Sequence, residues 1–138
     1  MRPAWPIALA LACAAPAFAD PPQAPADPVE ARYTPAYNAC LASPDGASTY
    51  GAIMCTQKEL GIQDQRLNAT YRKTMAELND RQKAKLVAAQ RAWIAFRDAE
   101  CASYHDEDWG TMSQVVAAGC VVRMTVQRTI DLEHYPPD

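Results

Sequence analysis

The sequence predicts an all-α fold: an antiparallel helical hairpin, a third long helix and a short N-terminal helix, stapled by two disulfides. Three observations lead to this class. Apolar residues recur three and four positions apart over three long segments. Helix-capping residues precede each of these segments, and an even number of cysteines follows the N-terminal leader. A chain of 138 residues fits one domain with a modest core.

The N-terminus has the pattern of a secretory signal peptide. A basic residue follows the first methionine, an apolar run extends from Ile7 to Phe18, and Ala17-Phe18-Ala19 offers a small-x-small cleavage site. We expect residues 1–19 to be removed and the protein to be periplasmic or secreted. The run is shorter than the roughly 20 apolar residues that span a bilayer, so no stable membrane insertion is expected after cleavage. Lipid anchoring at Cys13 ranks below simple cleavage, because Leu11 is one position closer to the cysteine than in the usual lipoprotein signal.

Composition divides the remaining chain into a tether and a domain. Residues 20–33 are rich in proline and predict a flexible tether, and the helical domain is expected over residues 34–138. Without the leader, 12 Lys and Arg stand against 16 Asp and Glu, a net charge of −4. This charge argues against a nucleic-acid partner and mildly favours a basic one.

The two helices of the predicted hairpin each begin at a capping pattern. Thr56-Gln57-Lys58-Glu59 has the form of a capping box and predicts the start of the first long helix. Asn79-Asp80-Arg81-Gln82 offers a second cap and leaves too few residues for a long loop, so the next helix must turn back antiparallel. This second helix is expected over about residues 81–103, with Leu86, Trp93 and Phe96 among its inward-facing residues.

Asp64 is the one charge on the inward face of the first helix. In the register that sets Leu78 beside Leu86, it lies within a turn of Arg97, and we expect the two to form a semi-buried ion pair. A general acid or base held by its neighbour is the functional alternative. We favour a structural pair that fixes the register, because no nucleophile, histidine or set of metal ligands accompanies it.

The third helix is expected to follow Thr111-Met112-Ser113-Gln114, a capping box with glutamine at its last position. Its inward face would include Met112, Val115 or Val116, Val122, Val126 and Ile130, and Gly119 could allow close approach of another helix.

Two loops contain the candidate partner-binding residues. The first is the acidic loop from Tyr104 to Trp109, where Trp109 could anchor a partner and the acidic side chains could contact a basic rim on that partner. The alternative for this loop is a solvated turn without a binding role. The second loop, from Ser43 to Gly51, carries Tyr50 and is an equally good candidate. The candidate residues are Tyr50, His105, Asp106, Glu107, Asp108 and Trp109.

Four cysteines follow the leader, namely Cys40, Cys55, Cys101 and Cys120. They can pair in three ways; we favour Cys40 with Cys55 and Cys101 with Cys120, because each pair encloses one irregular loop. A zinc site is the alternative, but no two cysteines have the close spacing of such sites.

No catalytic set is evident in the sequence. It has no serine, cysteine and histidine at usable positions and no glycine-rich phosphate loop. A metal at His105, Asp106 and Glu107 is disfavoured, because adjacent side chains rarely converge on one ion. We therefore expect a binding protein that is not an enzyme and that has no cofactor and no metal.

The most specific pattern in the chain is Ala-Gln-Arg-x-Trp-x-x-x-Arg-Asp-x-x-Cys at residues 89–101. Further residues accompany it at characteristic spacings, namely Cys40, Met54-Cys55, Asp64, Leu67-Asn68, Tyr71, Gly110-Thr111, Cys120, Thr125 and Arg128. Together these segments resemble the LprI-like lysozyme inhibitor family of bacterial envelope proteins, and the likeness covers nearly all of residues 37–133.

The resemblance implies a small exported helical domain that binds and inhibits a lysozyme, a peptidoglycan muramidase, by protein–protein contact. It identifies no inhibitory residue, because the matching positions are mostly core, cap and cysteine positions. One departure concerns the acidic loop: family members often have two glycines before the threonine, whereas here Trp109 precedes Gly110. The alternative function is a structural or interaction module of the envelope without inhibitory activity.

Overall fold

The described part of the chain, residues 27–136, contains four α-helices and no strand in a computed structural model. The helices are α1 (Pro35–Ala42), α2 (Thr49–Ala76), α3 (Asp80–Ala102) and α4 (Met112–Glu133), with 3-10 turns at Glu30–Arg32 and Glu107–Trp109. The predicted all-α class, with one short and three long helices, is confirmed. The predicted leader, residues 1–19, lies outside the described residues.

The cap predicted for α3 is present, whereas the one predicted for α2 is not. Asn79 and Gln82 form a capping box in which each side chain accepts a hydrogen bond from the backbone N–H of the other residue. For α2, Ser48 is the N-cap, because its Oγ accepts from the Gly51 N–H at 3.0 Å. Thr56 therefore lies inside α2, where its hydroxyl donates to the Ala52 carbonyl at 2.7 Å. No residue between 49 and 55 interrupts the helix, so it starts well before the predicted box.

Contacts at both ends show that α2 and α4 run parallel. Thr49 and Thr111, which lie at the starts of the two helices, have their hydroxyl oxygens 3.4 Å apart. Near the other end, the Thr74 hydroxyl donates to the Leu132 carbonyl at 3.1 Å. The side-chain cap predicted at the start of α4 is absent, because the Thr111 hydroxyl accepts no hydrogen bond from the first turn of the helix.

α3 runs antiparallel to α4, and therefore also to α2. Arg128 donates to Gln90 at 2.9 Å, whereas the earlier Thr125 lies 3.4 Å from the later Arg97. The predicted hairpin direction is thus confirmed. The packing differs from a simple hairpin, because α4 packs along both α2 and α3. The backbones of α2 and α3 hardly approach each other.

The core consists of two small clusters in which α4 takes part each time. Val29 packs with Val122 and Val126 in one, and Leu67 and Leu86 pack with Leu132 in the other. Two residues expected in the core are on the surface instead: Phe96 is 57% exposed and Met112 is 59% exposed. Gly119 is also not a site of close approach, because a Cβ added there would meet nothing within 4 Å.

Residues 27–33 were assigned to the flexible tether, but they pack against the helices. Val29 is buried on α4, Arg32 pairs with Glu133 at 2.7 Å, and Arg123 donates to Asp27 at 2.9 Å. The tether prediction is therefore wrong for these residues, because Val29 supplies apolar surface and two ion pairs flank it.

The buried carboxylate of Glu59 holds the start of α1 against α2. It accepts hydrogen bonds from the Thr34 N–H at 3.0 Å, the Thr34 hydroxyl at 2.6 Å and the Gln63 amide at 2.6 Å. Gln63 also donates to the Arg32 carbonyl at 2.9 Å. A charged group with this little exposure, 1%, is stable here because several donors replace its water.

Glu59→Gln should lower the free energy of unfolding by about 1 to 3 kcal/mol. The amide would place donors against the donors of Thr34 and Gln63 and leave buried groups without partners. A thermal melt followed by circular dichroism checks this, with the exposed Glu77→Gln as control. A melting temperature within a degree or so of the wild-type value would contradict the role assigned to the carboxylate.

Glu133→Gln should lower stability at pH 7 by at most about 1 kcal/mol, because the ion pair is partly exposed. The hydrogen bond from Arg32 lowers the pKa of Glu133. The pair therefore stabilises the fold above the ordinary glutamate pKa of about 4.3 and loses this effect as the pH falls through the lower folded-state value. Urea unfolding checks this: the difference between variant and wild type should shrink at pH 3. An equal difference at both pH values would count against it.

Candidate partner-binding surface

One end of the bundle, here called the loop end, brings both candidate loops together. It consists of the starts of α2 and α4, the end of α3, and the segments 43–48 and 103–111 that precede α2 and α4. Two disulfides hold these segments: Cys40–Cys55, with a Cα–Cα distance of 5.8 Å, and Cys101–Cys120, with 5.5 Å. The favoured pairing of the four cysteines is confirmed, and each bond encloses one of the loops.

The acidic loop is a turn that its own residues stabilise. The Asp106 carboxylate accepts from the Asp108 N–H at 2.8 Å and so caps the 3-10 turn. Gly110 follows with φ of +70°, a conformation that glycine adopts without strain. Asp106 is thus used by the fold, whereas the side chains of Glu107 and Asp108 make no hydrogen bond or ion pair within residues 27–136. Trp109 is 63% exposed.

Tyr50 stands at the same end but borders a different depression. It is 74% exposed and lines a groove of about 700 Å³ with Asp45, Met54 and Lys58. The structure therefore brings Tyr50 and the acidic loop to one end of the molecule without placing them in one pocket.

Met112 and Val116 form an exposed apolar strip, although Met112, and Val115 or Val116, were expected to face the core. They lie four residues apart on α4 and are 59% and 53% exposed. The stretch from 112 to 122 contains no charged residue, so its periodicity could not distinguish a buried face from an exposed one. The position of this strip beside Trp109 in the chain is the only sequence signal for it.

A second depression, here called the loop-end groove, lies between α2 and α3 over α4. Its volume is about 470 Å³, and its lining includes Ile53 from α2, Cys101 and Ala102 from α3, and Ala117, Ala118 and Val121 from α4. Asp98 and His105 are its charged or titratable lining residues. The groove is bordered by residues of α2, α3 and α4, whereas at the far end of the bundle leucines of the same three helices pack together.

Charge is distributed unequally between the two halves of the bundle. The loop-end half, residues 40–62 and 92–122, has two basic and seven acidic residues, a net charge of −5 with histidine neutral. The other half, residues 63–91 and 123–136, has nine basic and five acidic residues, a net charge of +4. Such separation steers a cationic partner toward the loop end.

The predicted pair of Asp64 and Arg97 is not formed. Arg97 pairs instead with Asp98 in its own helix, with Nε and Nη2 at 2.9 and 2.8 Å from Oδ1. The guanidinium of Arg97 lies 5.1 Å from the centre of the Trp93 ring, and that of Arg128 lies 5.8 Å from it. The prediction assumed that α2 and α3 pack directly together, whereas the backbones of these helices hardly approach each other. The α3–α4 contact is therefore stabilised by the hydrogen bond from Arg97 to Thr125 and by Arg128 of α4 over the Trp93 ring.

The remaining polar groups of the loop end include a hydrogen-bonded tyrosine. The Tyr104 hydroxyl donates to Glu100 at 2.8 Å, and this hydrogen bond raises the pKa of Tyr104 above its usual value. No group of three or more His, Cys, Asp or Glu residues in the described chain is arranged to hold a metal ion. None of the described helices is both long and apolar enough to cross a membrane.

The fold and this surface describe a small, disulfide-crosslinked helical protein with an acidic, partly apolar loop end. The family model described as Lysozyme inhibitor LprI matches residues 33–132, most of the chain. The chain therefore belongs to the LprI lysozyme inhibitor family, as its resemblance indicated.

Comparison with other proteins adds one relative. An uncharacterized protein of Rhizobium meliloti (strain 1021) is 30% identical in an alignment 151 positions long, gaps included, which covers 96% of this chain and 94% of that protein. No solved structure matches this chain.

Proposed function

We propose that this protein is exported and inhibits a lysozyme-type enzyme by contact through its loop end, without catalysing a reaction itself. The observation that carries the proposal is the position of exposed aromatic and acidic side chains together at one end of a crosslinked scaffold. Family membership supports the same function, since the family is described as a lysozyme inhibitor.

Trp109 has the properties of an interface anchor. It is large and mostly exposed, and its backbone is held by the Asp106 cap on one side and Gly110 on the other. Large aromatic side chains that enter a partner's pocket often dominate the binding energy, and a fixed backbone reduces the entropy lost on binding. Glu107 and Asp108 stand next to it and would contribute mainly to the rate of association with a basic surface.

Export would suit the crosslinks of this chain. Disulfides persist in oxidising compartments such as the periplasm, and the two bonds here lie on either side of the proposed surface. A periplasmic or secreted location would also place the protein where a lysozyme meets the cell wall.

For the variant Glu107→Gln/Asp108→Asn/Trp109→Ala, the concentration that half-inhibits cell-wall lysis by lysozyme should rise at least about tenfold. The reason is that an aromatic anchor typically contributes about 2 kcal/mol or more to binding. Asp106 is kept so that the turn remains capped. Lysis of cell-wall suspensions by lysozymes of several structural types is the measurement, and circular dichroism verifies the fold.

The matched control is Phe96→Ala/Glu77→Gln/Asp131→Asn, which removes one exposed aromatic and two acids outside the acidic loop. It should inhibit like the wild type. Failure of the wild-type protein to inhibit any of the lysozymes would contradict the proposal and favour a non-inhibitory envelope module. Normal inhibition by the loop variant would show that the acidic loop is only a connector.

A further inference from the structure

The loop-end groove is an opening where a helical bundle would ordinarily be filled. At the far end, Leu67, Leu86 and Leu132 fill the space between α2, α3 and α4. At the loop end the corresponding space is lined by small residues, among them Ala102, Ala117 and Ala118, and about 470 Å³ stays open. The depression is shallow and open to solvent, and its lining is mostly apolar, so an occupant with apolar surface would gain by covering it.

The walls of the groove combine an apolar floor with acidic neighbours. Val121 and the Cys101–Cys120 disulfide contribute apolar surface, whereas Asp98 is 59% exposed at the side chain. Arg97 binds one oxygen of Asp98, Oδ1, and no hydrogen bond to Oδ2 occurs within residues 27–136. His105 also lines the groove and begins the acidic loop. The surrounding half of the molecule carries a net charge of −5.

From this charge complementarity we infer that the loop-end groove receives a lysine or arginine side chain of the inhibited enzyme, an inference that rests on the proposed function. The methylene stem lies on the alanine and valine floor, as such stems commonly do on apolar surfaces. The cationic head meets Oδ2 of Asp98 and the field of the acidic loop. Inhibition then involves insertion in both directions: Trp109 contacts the enzyme, and a basic side chain of the enzyme enters this protein.

A purely apolar occupant fits the same observations less well. A leucine or phenylalanine would gain from the floor but would bring no charge to the acidic rim, and burying Asp98 beside it would cost free energy. A lone cation without a stem would satisfy the rim but leave the floor unfilled. The long basic side chains satisfy both parts at once.

Filling the groove from inside tests the inference. Ala118→Phe should occupy the floor and raise the concentration for half-inhibition of lysozyme at least tenfold while the protein remains folded. Ala102→Phe fills the groove from α3 and serves as the second variant if Ala118→Phe does not fold. Ala88→Phe, at an exposed alanine of α3 outside the groove, is the matched control and should inhibit like the wild type.

Charge is tested separately with Asp98→Asn, which keeps the size of the side chain. It should weaken inhibition at low salt, and less so at high salt, because a screened attraction has been removed. If a folded groove-filling variant and Asp98→Asn both inhibit within twofold of the wild type, the groove is not the site, although the proposed function stands. If the wild type inhibits no lysozyme, the proposed function fails and the groove assignment fails with it.

Discussion

The Cys101–Cys120 disulfide is the constraint on which the loop end depends. It joins the last turn of α3 to α4 across 19 residues of chain, and closing a loop of this size is worth about 3 kcal/mol in the chain-entropy account. The Met124 sulfur lies 3.6 and 3.8 Å from the two cysteine sulfurs, so the bond is packed against α4. The bond holds α3 to α4 at this end, next to the loop-end groove, which Cys101 lines.

Away from the loop end, much of the interior is polar but fully hydrogen-bonded. Thr125 and Thr129 are buried on α4, and their hydroxyls donate to the carbonyls of Val121 and Thr125 at 2.8 and 3.0 Å. Within residues 27–136, no buried side-chain nitrogen or oxygen lacks a partner. Threonines bonded to their own helix expose mainly a methyl group, which lets α4 approach α2 closely. The interior therefore combines few large apolar side chains with buried polar groups whose hydrogen bonds are all formed within residues 27–136.

Helix existence, the α3 cap, the hairpin direction and the disulfides were predictable because each depends on local spacing. Packing partners were not, because they depend on which helices meet. The Asp64–Arg97 prediction and the inward placement of Phe96 both assumed that α2 packs on α3. The threonines of α4 gave no apolar signal, although they form the face that packs in the interior. At the proposed binding surface, Tyr50 and Trp109 are exposed, and their role in partner binding stays a prediction. The groove depends on how α2 and α3 are placed on α4, which no pattern in the sequence encodes.

The segment from 89 to 101, which identifies the family most specifically, connects the scaffold to the surface. Trp93 and Arg97 fix the rotation of α3 on α4, and side chains three or four positions further along share neighbouring faces. That rotation decides that Asp98, Cys101 and Ala102 line the groove. A change at Trp93 would thus act on the groove without touching a partner, by turning the wall that carries Asp98. The residues that stabilise this helix and the residues proposed to bind are therefore distinct but mechanically linked.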